Sequence, residues 1–185
     1  MPFATWWRGD PLPELPPLPD FAVRRSTDRD LIERLNRLSL ARVDLRLRSD
    51  NDFYVALLNE APVGYGWVGF KSGAIDELFL RFSVPPGNAY LWDFATLPAW
   101  RGLGVYPHLI QEIARRLTDV ERFWIAYEAH NTASGRGIEK AGFQVVGELV
   151  VERHRVTGFE AAGTDERSRA ATTMLTPGHS TGTRL

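Results

Sequence analysis

The chain contains no cysteine. That absence removes disulfides, thiol nucleophiles and thiolate metal sites together. It fits a reducing compartment, and a cytoplasmic location is expected. No run of about 18 apolar residues occurs, so no membrane-spanning helix and no membrane partner are expected. The opening MPFATWW lacks the apolar stretch of a secretory leader. An excess of one charge is also missing. The 22 Lys and Arg residues meet 23 Asp and Glu, for a net charge of −1, so there is no basic footprint for nucleic acid. The four histidines, His108, His130, His154 and His179, show no metal-ligand spacing with one another or with carboxylates, and no metal is expected. No G-x-S-x-G elbow is present, which argues against a hydrolase triad. No internal repeat is found.

What is present suits one domain: 185 residues, of which 44% are hydrophobic. Residues 1–20 read as an arm. PLPELPPLPD favours an extended polyproline-like path. Phe3, Trp6 and Trp7 precede it, so the arm is expected to lie on the domain or on a partner subunit, a homodimer being one such arrangement.

Residues 21–175 read as the domain, and the polar residues 176–185 as a frayed tail. A short strand is expected at 21–25. Ser26 or Thr27 then caps a helix with Leu31, Ile32, Leu35 and Leu38 as its stripe. Val43 and Leu47 mark a second helix or a continuation. Arg34, Arg37, Arg42, Arg46 and Arg48 read as solvated outer faces. A hairpin is expected over 52–70, then strands at 74–84 and 89–97. Further strands are expected at 122–130 and 143–156, a loop at 158–168 and a last strand at 169–175. NTASGRGIEKAGF, 131–143, reads as a helix despite two glycines. The order predicts an α/β fold: a mixed, partly antiparallel central sheet flanked by helices.

The segment WRGLGVYPHLIQEIARRL, 100–117, carries the clearest chemistry. Val105, Leu109, Ile113 and Leu117 repeat every four positions, with Ile110 widening the stripe, so the segment is an amphipathic helix. Pro107 fits the first turn, where its missing N–H costs little. The free amides of such a helix start attract anions, phosphate above all. Gly102 and Gly104 let the backbone approach a bulky ligand, and Arg101 adds a fixed positive charge. A P-loop would need Lys and Ser or Thr where Val105 and Tyr106 stand. A dinucleotide fingerprint would need glycine at Pro107.

Two segments resemble the GNAT superfamily of acyl-CoA-dependent N-acyltransferases. WDFATLPAWRGLGVY, 92–106, is similar to that family's strand followed by R/Q-x-x-G-x-G/A. NTASGRGIEKAGF is similar to its N-x-A-S-x-x-x-x-E-K-x-G-F pattern. The resemblance covers about residues 21–157 and implies a GNAT-like fold. It implies transfer of an acetyl group from acetyl-CoA, as co-substrate, to a primary amine by direct attack on the thioester. The amine belongs to a small molecule or a peptide.

By that resemblance Arg101, Gly102, Leu103, Gly104, Val105 and Tyr106 hold the pyrophosphate. Phe94, Ala95 and Thr96 pair with the pantetheine arm, where the strands 89–97 and 122–130 splay apart. Asn131 begins the helix beside that arm, Ser134 is a further cofactor contact, and Arg136 and Lys140 are candidates for the nucleotide phosphate that read equally as exposed helix charges. Asp93 is the first choice for the base, with capping of a loop or pairing to an arginine as its alternative. Glu128 is the second choice. The oxyanion falls to an amide of residues 95–97. Ile138 stands where many members carry the tyrosine that protonates the thiolate, so the proton comes from solvent, Tyr127 or His130, or the domain binds acyl-CoA without turnover as a sensor or interaction module. Trp67, Phe70, Phe79, Phe82 and Trp92 read as core or as an aromatic acceptor pocket, with Asp76 and Glu77 placed to attract a cation.

Overall fold

The computed structural model describes residues 1–153 and 155–175; His154 and the tail 176–185 lie outside the described residues. Ten strands and five helices follow in the order β1 (Pro2–Trp7), β2 (Phe21–Ser26), α1 (Arg29–Asn36), α2 (Leu40–Arg48), β3 (Asn51–Leu58), β4 (Ala61–Gly69), β5 (Ser72–Ile75), β6 (Leu80–Ser83), β7 (Asn88–Thr96), α3 (Val105–Arg116), β8 (Arg122–Ala126), α4 (Thr132–Lys140), β9 (Gln144–Glu152), β10 (Arg155–Ala161) and α5 (Glu166–Leu175). Eight strands form one sheet, ordered β10-β9-β1-β8-β7-β4-β3-β2, and β5 and β6 make a separate hairpin. This is the mixed α/β sheet flanked by helices that the segment order predicts. Among the described residues, β7 and β8 are the one parallel pair.

The sheet is covered on both sides because its strands alternate. Tyr54, Ala56, Phe123 and Ile125 face α3 and α4, packing with Leu109, Ile110 and Ile138. Phe53, Val55 and Trp67 turn the other way, onto Ile32 of α1 and Val43 of α2. Tyr90 and Trp124 share that second face but meet the β5–β6 hairpin and α5. One face therefore carries α3 and α4. The opposite face carries α1–α2 over one half and the hairpin with α5 over the other, with a trough between them.

Residues 2–7 of the expected arm are a strand inside this sheet. β1 pairs antiparallel with β8 on one side and β9 on the other. Phe3, Ala4 and Thr5 are fully buried and Trp6 nearly so, as a strand covered on both faces requires. The prolines then carry the chain to the far edge. Leu12 and Leu18 pack on the core, and the Gln111 side chain donates to the Pro13 carbonyl at 2.9 Å.

Four further expectations give way. The expected strand 74–84 is broken by a single 3-10 turn, Asp76–Leu78, with Phe79 left-handed at φ 51° and 79% exposed. The expected loop 158–168 begins instead as the end of β10. The expected strand 169–175 belongs to α5, where Ala171, Met174 and Leu175 are buried at helical spacing and the Asp165 carboxylate accepts from the Ser168 amide. The cap of α1 is Asp28 rather than Ser26 or Thr27. No helix among the described residues is long and apolar enough to cross a membrane.

Candidate active site

β7 and β8 are paired only from Asn88–Arg122 to Leu91–Ile125. Beyond that point they part, and a cavity of about 390 Å³ opens between them. Its wall includes Asp76, Glu77 and Arg46 from the trough face, and Tyr106, Asn131 and Ser134 from the α3–α4 face. The cavity thus joins the two faces of the sheet.

A β-bulge shapes its edge. Tyr65 of β4 faces Ala95 and Trp67 faces Trp92, so Gly66 opposes two residues, Asp93 and Phe94. Asp93 is left-handed at φ 50°. The extra residue breaks the regular alternation of a strand, which would put Trp92 and Phe94 on one face. Trp92 stacks on Trp67 at 5.8 Å in the trough. Phe94 goes to the other side and meets Tyr106 at 5.9 Å. Its ring lies over Gly66, where a Cβ would come within 2.4 Å of it.

Asp93 lines the cavity and is ion-paired. Its Oδ2 accepts from Arg46 Nη1 at 2.5 Å and from Asn36 Nδ2 at 3.2 Å. Arg46 Nη1 also donates to Asn36 Oδ1 at 3.0 Å, and Trp67 Nε1 donates to the same oxygen at 2.6 Å. Arg46 lies over Trp92, 4.5 Å from the ring centre. With its side chain only 15% exposed, Arg46 is no solvated surface residue. Sequence reasoning missed both Arg46 and Asn36; the one available signal is that Arg46 follows buried Val43 by three residues on α2, which puts it on the inward side. Burial, then the Asp93 charge, pushes the neighbouring Tyr65 phenol upward against the Asn36 hydrogen bond.

Glu128 and Tyr127 follow β8, which ends at Ala126, so neither sits in the apolar strand expected at 122–130. Both line the cavity. Glu128 Oε2 lies 3.1 Å from His130 Nε2, at the surface. The Tyr127 ring rests on Gly135, and burial raises its phenol.

The glycine loop before α3 has the expected form. Gly102 and Gly104 are left-handed, at φ 80° and 82°, and Gly104 is the cap of α3. Among the described residues, no acceptor meets the amides of Gly102, Leu103 or Gly104, while the Arg101 amide reaches Pro98 O at 3.4 Å. Arg101 Nε donates to Thr96 O at 3.3 Å, tying the loop to the end of β7. Val105 is buried beneath, and the Tyr106 ring turns toward α4. Ala95 and Thr96 pair with β4 on one side, and on the other Phe94, Ala95 and Thr96 have no β8 partner. The Asn131 side chain caps α4 by accepting from the Ser134 amide at 3.1 Å. Arg136 and Lys140 are exposed on α4. Ile138 is buried among the α3 side chains, 1% exposed.

Of the expected aromatic acceptor wall, Trp92 alone lines the cavity; Trp67 and Phe82 are core, and Phe79 points into solvent. Asp76 and Glu77 do line it, from the 3-10 turn. No group of three or more metal-ligating side chains occurs among the described residues.

The sequence matches the profile of the acetyltransferase (GNAT) family over residues 15–143. No curated protein matches it. Among solved structures, one similar to it is the aminoglycoside acetyltransferase AAC(6')-Iy in complex with a bisubstrate analogue, CoA-S-monomethyl-acetylneamine. Identity is 18%, coverage 72% of this chain and 97% of that one, and TM-score 0.54. The aminoglycoside acetyltransferase meta-AAC0020, from an uncultured soil metagenomic sample, shows 17% identity, coverage of 72% and 93%, and TM-score 0.54. A transcriptional regulator from Bacillus halodurans shows 17% identity, coverage of 72% and 99%, and TM-score 0.52. At these identities the likeness is one of fold.

Proposed function

Since the chain belongs to the acetyltransferase (GNAT) family, we propose that it transfers the acetyl group of acetyl-CoA to a primary amine on a small cationic molecule. The observation that carries this reading is the unpaired stretch of β7 and β8, which opens beside the free amides of the Gly102–Gly104 loop. A pyrophosphate fits those amides at the positive end of α3. The pantetheine arm is a pseudo-peptide, and it fits the free edge of Phe94–Thr96 as an added strand would. Arg136 and Lys140 serve the nucleotide phosphate. The thioester then lies in the gap with its acyl group toward the trough.

The trough suits a cation. Asp76, Glu77, Asp93 and Glu128 line the cavity against one arginine, Arg46. Two proteins sharing the fold are aminoglycoside acetyltransferases, and a polyamine sugar has the charge this lining attracts.

The geometry supports the following chemistry. The amine attacks the thioester carbon, and an amide of residues 95–97 holds the oxyanion. The nitrogen becomes strongly acidic once the C–N bond forms, so even an arginine-paired carboxylate suffices as acceptor. Asp93 takes that proton on Oδ1, since its bonds to Arg46 and Asn36 use Oδ2. Glu128 adds to the negative field. A non-catalytic acyl-CoA sensor is the second reading, motivated by buried Ile138 in the tyrosine's place.

Calorimetry with acetyl-CoA, followed by a thiol-release assay over neutral and polycationic amines, tests this. Binding with release favouring polycations is expected. No binding at millimolar acetyl-CoA would remove both readings, and binding without release on any amine would leave the sensor.

A further inference from the structure

When an amine displaces coenzyme A, the C–S electron pair goes to sulfur, and the thiolate needs a proton. Three tyrosines line the cavity, Tyr90, Tyr106 and Tyr127. Tyr90 sits on the trough face, packed between Phe3 and Phe82. Tyr127 lies over Gly135 of α4, its phenol raised by burial and then by the charges of Glu148 and Glu139. Tyr106 differs from both. It rises from the first turn of α3 and lies between Phe94 of β7 and α4. That is the opening through which the thioester tether must pass.

The helix on the other side is shaped to receive it. A Cβ on Gly137 would come within 2.4 Å of the Tyr106 ring, and one on Gly135 within 2.8 Å of Tyr127. Two glycines inside α4 cost roughly 1 kcal/mol each in helix propensity. They make room for two phenol rings. The Tyr106 hydroxyl ends 3.3 Å from Ser134 Oγ, and Ser134 is itself only half-buried.

We propose that Tyr106 is the acid of the reaction. Its O–H donates to the departing sulfur, and as that proton moves to sulfur the Ser134 O–H replaces it in the same step and is refilled from solvent, so no free phenolate forms. The C–S bond breaks, its electrons stay on sulfur, and the S–H bond forms with the Tyr106 proton, so no further reactant is needed. Burial pushes the phenol up to about 12 despite the Ser134 hydrogen bond, so it carries its proton at neutral pH. The assignment rests on the acyl-CoA reading of the cavity, and it needs no knowledge of the acceptor.

The test uses coenzyme A alone. An O–H aimed at sulfur stabilises the thiolate, so the bound thiol should ionise below the free value of about 8.5. Ultraviolet absorbance of the thiolate is followed from about pH 6 to 10 for the wild type, Tyr106→Phe and Tyr127→Phe, each with calorimetric affinity for coenzyme A. All three should still bind coenzyme A, and the midpoint should rise by at least about half a pH unit in Tyr106→Phe alone. Equal midpoints in the wild type and Tyr106→Phe, or a rise in Tyr127→Phe alone, would overturn the assignment. Failure of the wild type to bind coenzyme A would overturn the parent reading and this one with it.

Discussion

The Arg46 guanidinium holds the Asp93 carboxylate at 2.5 Å, from helix to bulged strand, across the mouth of the cavity. The pair spans 47 residues of sequence. It engages Oδ2 and leaves Oδ1 as the oxygen that the proposed reaction would use. Asp93→Asn keeps the shape but removes the charge. We expect kcat/KM to fall at least about a hundredfold, with acetyl-CoA affinity unchanged. Steady-state kinetics beside calorimetry decides it: full turnover in this variant rejects Asp93 as base.

The loop prediction concerns backbone. Gly104 is left-handed, and the nearest atom to an added Cβ is His108 Nδ1 at 3.6 Å. Space is available, so the penalty lies in φ. A β-branched residue there costs at least about 1–2 kcal/mol or forces the loop to another path. Gly104→Val should therefore weaken coenzyme A binding at least about tenfold, while the amine side of the cavity is untouched. Normal binding by this variant would displace the pyrophosphate from the loop.

What the sequence discloses and what it hides divide along contact distance. The α3 stripe and its glycine start are readable because each is a local pattern of period or backbone freedom, whereas the splay of β7 from β8 is reached only through the family resemblance. The two glycines of α4 are readable as a cost, but not as the seats of Tyr106 and Tyr127, which depend on tertiary packing. The bulge at Asp93 leaves no local mark, since Trp-Asp-Phe alternates like any strand; the bulk of Phe94 over Gly66 becomes visible only in three dimensions. Arg46 hides among other arginines for the same reason. The place of β1 is the hardest to read, because its partners β8 and β9 lie more than a hundred residues away and the prolines after it suggest an appendage.

That placement makes a stability prediction. Phe3 is fully buried and stacks on Trp124 at 5.6 Å. Phe3→Ala should cost about 3–5 kcal/mol, whereas Phe79→Ala, at an exposed turn, should stay within about 0.5 kcal/mol of wild type. Urea titrations of the two variants compare them directly. Removal of residues 1–7 should abolish cooperative folding, because β8 and β9 lose the strand that joins them. A truncated chain that melts like the full one would refute this role for β1.

The end of β1 also carries the clearest pH dependence. Arg167 of α5 donates to both oxygens of Asp10 at 2.6 and 2.7 Å, and the Trp7 amide donates to one of them at 2.8 Å. Burial alone would raise the Asp10 carboxyl. The Arg167 hydrogen bonds, the Trp7 amide and the Arg167 charge outweigh it and leave the group below its ordinary value. A carboxyl lowered by folding contributes stability that is complete above its unfolded value of about 3.9 and is lost as pH falls through the folded one. The folded chain should thus lose stability as pH drops below about 4, with α5 and β1 loosening together. Asp10→Asn removes the titrating group and a charge-assisted pair worth about 2 kcal/mol. The variant should be less stable at pH 7 and show a shallower loss on acidification. Parallel curves for variant and wild type between neutral and acid pH would mean that Asp10 contributes nothing to the acid limb.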